Sequence, residues 1–377
     1  MRRWNALALV LSAVAVAGCS REKGPAPSPK ASPATKPFEI GIMTGTVTQG
    51  EEDFRAGEQV ERRYPGRVRH ITYPDNFPSE LETVVAQLAG LAADPDVKVI
   101  LVGQAIPGST TAARRIRETR PDILLGFVGP HEDPDSVGPA CDVAIGPDPI
   151  ARGVTIIAAA QQMGARNFVH YSFPRHLSQL LVARRRDIME AECDKRGMRF
   201  HAVTAPDPTG RGGLPAAEQF ILADVPRELE QLGPATAFYS TSDGMQEPLI
   251  RAILEARAGY FVEQDVPAPT QGYPAALGLR VPADSADDMA YVNGENRRLI
   301  AERGMSGHFG TWSQAVDMIS IRALASLLVD AADRKADVHD SATVRRYLEL
   351  EAGGPVTMRR YDPHSNQWLI MLDHVTY

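Results

Sequence analysis

The feature that most constrains this chain is a twice-repeated alternation of short apolar, β-branched runs with longer stretches of helical period. The first series opens at Phe38-Glu39-Ile40-Gly41-Ile42-Met43-Thr44 and predicts further strands over 68–73, 97–102, 123–128 and 142–145, with helices over 51–63, 79–93, 109–119 and 149–163. The second predicts strands over 167–171, 200–204 and 237–240, with helices over 176–196, 214–232 and 245–258. Strands of this length alternating with helices of ten or more residues form βαβ units, whose crossovers run the strands parallel and cover both faces of the sheet. Two such series predict two lobes. The expected fold class is therefore α/β, with two parallel sheets flanked by helices and a cleft between the lobes. Beyond them, helices over 287–303 and 315–331 flank Gly307-His308-Phe309-Gly310-Thr311-Trp312, where the chain is expected to cross back to the first lobe. The segments 356–361 and 367–372 read as a β-hairpin around the polar turn Asp362-Pro363-His364-Ser365-Asn366.

The start of the chain has a different character. Met1-Arg2-Arg3, an apolar run from Ala6 to Ala17 and then Gly18-Cys19 have the basic start, apolar middle and small-residue end of a secretory signal. The run falls short of the roughly 20 apolar residues that span a bilayer. Val16-Ala17-Gly18-Cys19 resembles the lipobox of bacterial lipoproteins, which implies acylation of Cys19 and removal of residues 1–18. Ser20, where aspartate would hold such a protein at the inner membrane, favours the outer membrane if the cell is Gram-negative. The Pro-, Ala- and Ser-rich stretch that follows cannot bury a core and reads as a tether. The expected organisation is a leader over 1–18, a tether over 19–37, lobe 1 over 38–148, lobe 2 over 149–286, and a return crossover completing lobe 1 over 287–377.

Charge and cysteine content exclude several classes of function. The net charge is −7, and −9 once Arg2 and Arg3 leave with the leader. That balance opposes binding to nucleic acid or to anionic lipid. Besides Cys19 there are only Cys141 and Cys193, expected on separate lobes as small buried apolar residues without a disulfide.

In open parallel sheets ligands collect beyond the carboxyl ends of the strands, where helix N-termini and loop amides converge. On that rule the first lobe presents Thr44, Thr46, Gln49, Gln104, His131 and Glu132. The second presents Tyr171, Ser172, Arg175, His176, Asp207, Thr241, Asp243, Gln246 and Glu247. Tyr171, Phe173, Tyr273 and Trp312 offer flat faces for stacking on a small polar ring. Arg175 is the expected contact for an anionic group. Each has an alternative role: Thr44 and Thr46 equally suit capping, Glu247 complements a helix dipole, and Tyr273 equally suits packing. His131 has no second histidine at ligand spacing, which weighs against a metal site. No cofactor is expected. The chain has no Gly-x-Ser-x-Gly, Walker loop, His-Glu-x-x-His or Cys-x-x-Cys, and Gly210-Arg211-Gly212-Gly213 lacks both dinucleotide spacing and a terminal lysine.

A set of local sequences resembles one family across nearly the whole body. They are Ile42-Met43-Thr44-Gly45-Thr46, Thr72-Tyr73-Pro74-Asp75-Asn76-Phe77, Asp94-Pro95-Asp96-Val97-Lys98, Pro130-His131-Glu132-Asp133-Pro134, Phe168 through His176, Thr204 through Gly210, and Met245-Gln246-Glu247-Pro248-Leu249-Ile250. They are similar to a bacterial lipoprotein family described only as domain of unknown function 3798. The architecture resembles the type I periplasmic solute-binding proteins. That resemblance implies a small polar ligand held between the lobes and an ABC-type permease as partner, with the membrane reached only through the lipid. A sensory lipoprotein that uses the same lobe closure, and a hydrolase or isomerase on the same sheets, are the alternatives; the expectation is a binding protein and not an enzyme.

Overall fold

The computed structural model describes residues 37–263, 268–282, 285–286 and 288–377. The leader and Cys19 lie outside them. The first lobe opens with β1 (Glu39–Thr44), α1 (Val47–Arg63), β2 (Val68–Thr72), α2 (Leu81–Ala92), β3 (Val97–Val102), α3 (Ser109–Thr119), β4 (Leu124–Val128), α4 (Pro134–Val137) and β5 (Val143–Pro147). The second contains α5 (Pro149–Met163), β6 (Asn167–Ser172), α6 (Pro174–Leu177), α7 (Leu180–Lys195), β7 (Arg199–Thr204), α8 (Gly213–Leu232), β8 (Thr236–Ser240), α9 (Gln246–Ala256), β9 (Tyr260–Phe261), α10 (Tyr273–Leu277) and α11 (Met289–Glu302). The chain ends with β10 (Gly310–Trp312), α12 (Val316–Ala332), α13 (Ser341–Ala352), β11 (Thr357–Arg360), β12 (Gln367–Met371) and β13 (His374–Thr376).

The first sheet has the order β11-β12-β5-β4-β3-β1-β2 and the second β7-β6-β8-β9. Every pairing in them is parallel except β11 with β12. The central strands are buried on both faces, as a parallel sheet with helices on each side requires: β6 and β8 expose no residue. The expected hairpin forms, and its second strand joins β5.

Helix α12 completes the first lobe. Ile319, Ala323, Leu324, Leu327 and Leu328 pack into one cluster with Ile40, Ile42, Val99, Leu101 and Ile145 from the sheet. Gly126 in β4 admits this close approach, because a Cβ there would lie 2.6 Å from a methyl of Leu328 and 2.9 Å from one of Leu324.

The lobes are joined at three places. β5 leads through Asp148 into α5, whose Ile156, Ile157 and Ala160 pack with Phe168 in the second lobe. Asp148 caps this helix, accepting from Ile150 N and Ala151 N at 3.0 Å each, and also binds Arg359 of β11. The second junction lies between β10 and α12, and the third between β12 and β13. β10 and β13 form a short antiparallel ladder across this region, with Phe309 and Tyr377 in the core of the second lobe and Trp312 in that of the first. The segment expected to complete lobe 1 is divided: Ile300, Met305 and Phe309 pack with Tyr171 and Phe238 in the second lobe, whereas Met289 and Trp312 pack with the core of the first.

Other differences are local. The helix expected over 176–196 is two, because Gln179 is extended (φ −79°, ψ 123°) and α7 restarts after it. α4, α10, α13, β9, β10 and β13 are additional. α13 buries only Val344, Tyr347 and Leu348, a stripe too thin to stand out by period. Cys141 and Cys193 are both unpaired and buried, and burial pushes each thiol up to about 12.

Two glycine substitutions test this packing in opposite directions. Gly126→Ala is expected to lower stability by about 1–3 kcal/mol through overpacking against α12. Gly90→Ala, in a helix with nothing near its Cβ, is expected to raise it by about 0.4–1 kcal/mol. Denaturant titration of both variants reads the two signs.

Candidate functional site

The carboxyl ends of both sheets face one another and enclose a cavity of about 550 Å³. The first lobe lines it from the first turn of α1 (Thr48, Gln49), the turns after β2 (Asp75, Asn76, Phe77), β3 (Gln104) and β4 (Gly129, Pro130, His131) and the end of β5 (Gly146, Pro147), with Asp317 at the start of α12. The second contributes Arg152 from α5, Arg175 and His176, Leu181, Val182 and Arg185 of α7, the turn Pro208-Thr209-Gly210, and Thr241, Ser242 and Asp243 after β8. The glycine-rich segment at 210–213 thus lines the cavity as a loop leading into α8.

Of the residues expected to meet a ligand, Gln104, His131, Arg175, His176 and Thr241 line this cavity, together with Gln49 and Asp243. Gln104 has φ +43°, a strained backbone for a residue with a side chain, and its amide oxygen accepts from the buried Tyr73 hydroxyl at 3.1 Å. Thr241 bonds Ser172 Oγ at 2.8 Å and His176 Nδ1 at 3.1 Å, which fixes the imidazole against the cavity wall.

The remaining candidates sit elsewhere, for identifiable reasons. Thr44 is fully buried and spends its hydroxyl on Gly45 O and His70 Nε2. Thr46 donates to Asp75. Glu132 accepts from Thr110 N at 2.8 Å and from its hydroxyl, tying down the start of α3, and faces a smaller neighbouring cavity of about 260 Å³. Tyr171 and Phe173 point into the core of the second lobe, the Tyr171 hydroxyl donating to Asp224 at 3.0 Å. Ser172 touches the cavity only through Thr241. Gln246 is buried with its amide toward Ala268 O, and Glu247 pairs with Arg251. Tyr273 is a core residue whose hydroxyl donates to Gly310 O. Trp312 is buried, its ring 5.3 Å from the Arg152 guanidinium, so it supports that cation from behind. Among the described residues no tyrosine or tryptophan lines this cavity, and Phe77 does.

Arg175 lines the cavity and is also held within the protein. It makes a two-pronged pair with Asp207 at 2.8 and 2.9 Å, and its guanidinium lies over Phe173 and Phe77 at 5.1 and 5.9 Å. Burial opposes ionisation of Asp207, but the Arg175 pair and the N–H and hydroxyl of Thr209 outweigh it and hold the carboxyl below its usual range. Arg175 is thus committed within the protein.

The residues missed in the sequence are Arg152, Arg185 and Asp317. Arg152 and Arg185 are buried at 0% and 3% exposure yet line the cavity. A signal existed for Arg152, which stands at the start of α5, the helix end that disfavours a cation. Asp317 was hidden because an acid at the head of an apolar helix reads as a dipole complement. Behind Asp317 and Asp243 lie the buried Glu52 and Asp53 of α1. Burial, then neighbouring carboxylates against a hydrogen bond from Thr270, pushes Glu52 up to about 8; Asp53 is raised by burial and the same neighbours. Among the described residues no set of three or more His, Cys, Asp or Glu is arranged to hold a metal ion.

The fold is shared with solved proteins. A protein from Clostridium difficile 630, provisionally described as a transcriptional regulator, superposes with a TM-score of 0.74 at 21% identity over 90% of this chain and 99% of its own. The substrate-binding protein of a sugar ABC transport system from Bordetella parapertussis 12822 gives 0.57 at 10% identity over 91% and 89%. A carbohydrate transporter from Acidothermus cellulolyticus 11B, in complex with myo-inositol, gives 0.53 at 12% over 84% and 99%. These likenesses establish the two-lobed periplasmic-binding architecture. In sequence, an uncharacterized protein of Treponema pallidum (strain Nichols) is 38% identical over 185 residues, 47% of this chain and 83% of that relative. The model of one family, proteins of unknown function designated DUF3798, matches residues 38–310. The chain belongs to the DUF3798 family, on a type I periplasmic solute-binding fold.

Proposed function

We propose that this protein is a lipid-anchored solute-binding protein that captures a small polar ligand between its lobes and delivers it to an ABC-type permease. The observation that carries this reading is the cavity itself, enclosed by the carboxyl ends of both sheets and lined by buried charged and amide side chains. Arg152, Arg185, Gln104, His131, His176, Thr241, Asp243 and Asp317 are the proposed ligand contacts. Such a wall offers donors and acceptors on all sides, suited to a polyhydroxylated or otherwise polar small molecule. Solved proteins of this fold include a sugar ABC substrate-binding protein and one holding myo-inositol, which supports that ligand class. Arg175 and Asp207 hold the cavity rim in this reading.

A second reading, a sensor that signals by lobe closure, is favoured by the likeness to the Clostridium difficile protein. The leader-like start and the net charge of −7 point its output toward a protein partner and away from DNA.

Small molecules released by denaturing the purified protein, identified by mass spectrometry and returned in a thermal-shift titration, test the binding role. A true ligand at a hundred times its Kd stabilises by about 2.7 kcal/mol; an empty protein unresponsive to sugars, polyols, nucleosides and amino acids sinks the reading. Arg185→Gln is expected to weaken that ligand by about 1.5–3 kcal/mol, roughly ten- to a hundredfold. Arg175→Ala is expected to lower melting temperature and affinity together, because it releases Asp207. Cys19→Ser should move the protein from the membrane pellet to the soluble fraction, and retention in the pellet would refute lipid anchoring.

A further inference from the structure

Acidic side chains from both lobes come within reach of one another's charge beneath the cleft. Glu52 and Asp53 come from α1 and Asp317 from α12 in the first lobe, all at 5% exposure or less, and Asp243 comes from the turn after β8 in the second. The charges acting most strongly on Glu52 and Asp53 are other carboxylates: Asp317 and Asp243 on both, Glu51 on Glu52, and Glu52 on Asp53. Tyr73, after β2, is buried among Asp53, Asp243, Asp317 and Asp75. Arg152 of α5, Arg185 of α7 and Arg175 also line this cavity, and Arg175 pairs with Asp207. Glu52 Oε2 and Asp53 Oδ1 are buried without a hydrogen-bond partner.

One contact ties this cluster to lobe position. Glu52 Oε1 accepts from the hydroxyl of Thr270. Thr270 belongs to the second lobe: the loop carrying it is held by Asn296 Nδ2 on Pro269 O at 2.9 Å and by Gln246 Nε2 on Ala268 O at 3.4 Å. The bond therefore spans the cleft, and it forms only while the lobes are together.

We propose that closure of the two lobes takes up protons on the carboxylates Glu52 and Asp53, beside Asp317 and Asp243, so that the cleft opens as pH rises. Separated lobes expose these groups to water, where each ionises as an ordinary carboxylic acid. Joined lobes bury Glu52 and Asp53 within reach of the charges of Asp317 and Asp243, and ionised carboxylates so placed repel and lose hydration. For a group whose closed-state pKa is raised, the favourable contribution to closure is full below the ordinary carboxylate range. It is then lost as pH rises through the closed-state value, which for Glu52 is about 8. Between those limits the closed-to-open ratio falls about tenfold for each unit that pH rises, for every proton taken up on closure.

The inference rests on the solute-binding reading only in taking lobe closure as the working motion, and its test needs no ligand. Leu81 and Leu180 are exposed, on α2 and α7 of opposite lobes, and accept spin labels as Leu81→Cys and Leu180→Cys in a full-length Cys19→Ser background. The native Cys141 and Cys193 are buried and stay unlabelled. The interlabel distance is expected to pass from a short to a long population between pH 5 and pH 9. Glu52→Gln and Asp317→Asn should hold the short population to higher pH. The radius of gyration of the unlabelled protein, from small-angle scattering, should rise over the same range. An identical distance distribution and radius at both pH values would overturn the proposal, as would a pH response unchanged in both variants. A ligand-binding protein whose lobes ignored pH would refute this inference and leave the binding reading intact.

Discussion

The packing of α12 onto β3, β4 and β5 shapes the rest of the molecule. A sheet of parallel strands buries both faces only if helices cover each side, and α1 alone does not cover this one. The covering helix comes from a segment that follows the entire second lobe. The chain must therefore leave the first lobe, build the second and return, and β13 then carries it across once more. Three junctions in one region keep the lobes in register, and that register brings the carboxyl ends of both sheets to a single cavity. Gly126 is a local cost of the arrangement: a strand position without a side chain, accepted so that Leu324 and Leu328 can approach.

The cavity is unusual less for polarity than for how its charges are held. Arg175 and Asp207 satisfy one another in a two-pronged pair at the rim. Arg152 is buried against Trp312, and Arg185 lies 5.8 Å from the ring of Tyr239, so cations at the wall are backed by aromatic faces. The carboxylates beneath them are crowded by one another. A neutral polar ligand would meet donors fixed by packing and acceptors whose protonation depends on what covers them.

Much of the architecture was readable because it is written in periods. Alternating strand and helix runs predict both sheets, and helix 109–119 falls on the same residues in the structure. The site was less readable, because a strand end says which residues arrive at the cleft but not which way each side chain turns. Successive side chains on a strand face opposite sides. Tyr171 and Phe173 fall on the core side, while His176, just beyond on a helical turn, falls on the cavity. Trp312 and Tyr273 were drawn to the site by their chemistry and lie in the core. Arg152, Arg185 and Asp317 carry no strand-end signal because they sit on helices; only the tertiary approach of α5, α7 and α12 makes them cavity residues.

The split construction of the first lobe also orders its assembly in time. Its first five strands are synthesised before residue 150, yet β12, which closes one side of β5, and α12, which covers the sheet, appear only after residue 315. The second lobe, by contrast, is contiguous but for the last few residues. A chain delivered end-first through a membrane would fold its second lobe while the first still lacked its cover, since pairings of such sequence separation form late. The part of the protein that is made first is thus the part whose cover arrives last, and until then its apolar strands lack the helix that buries them.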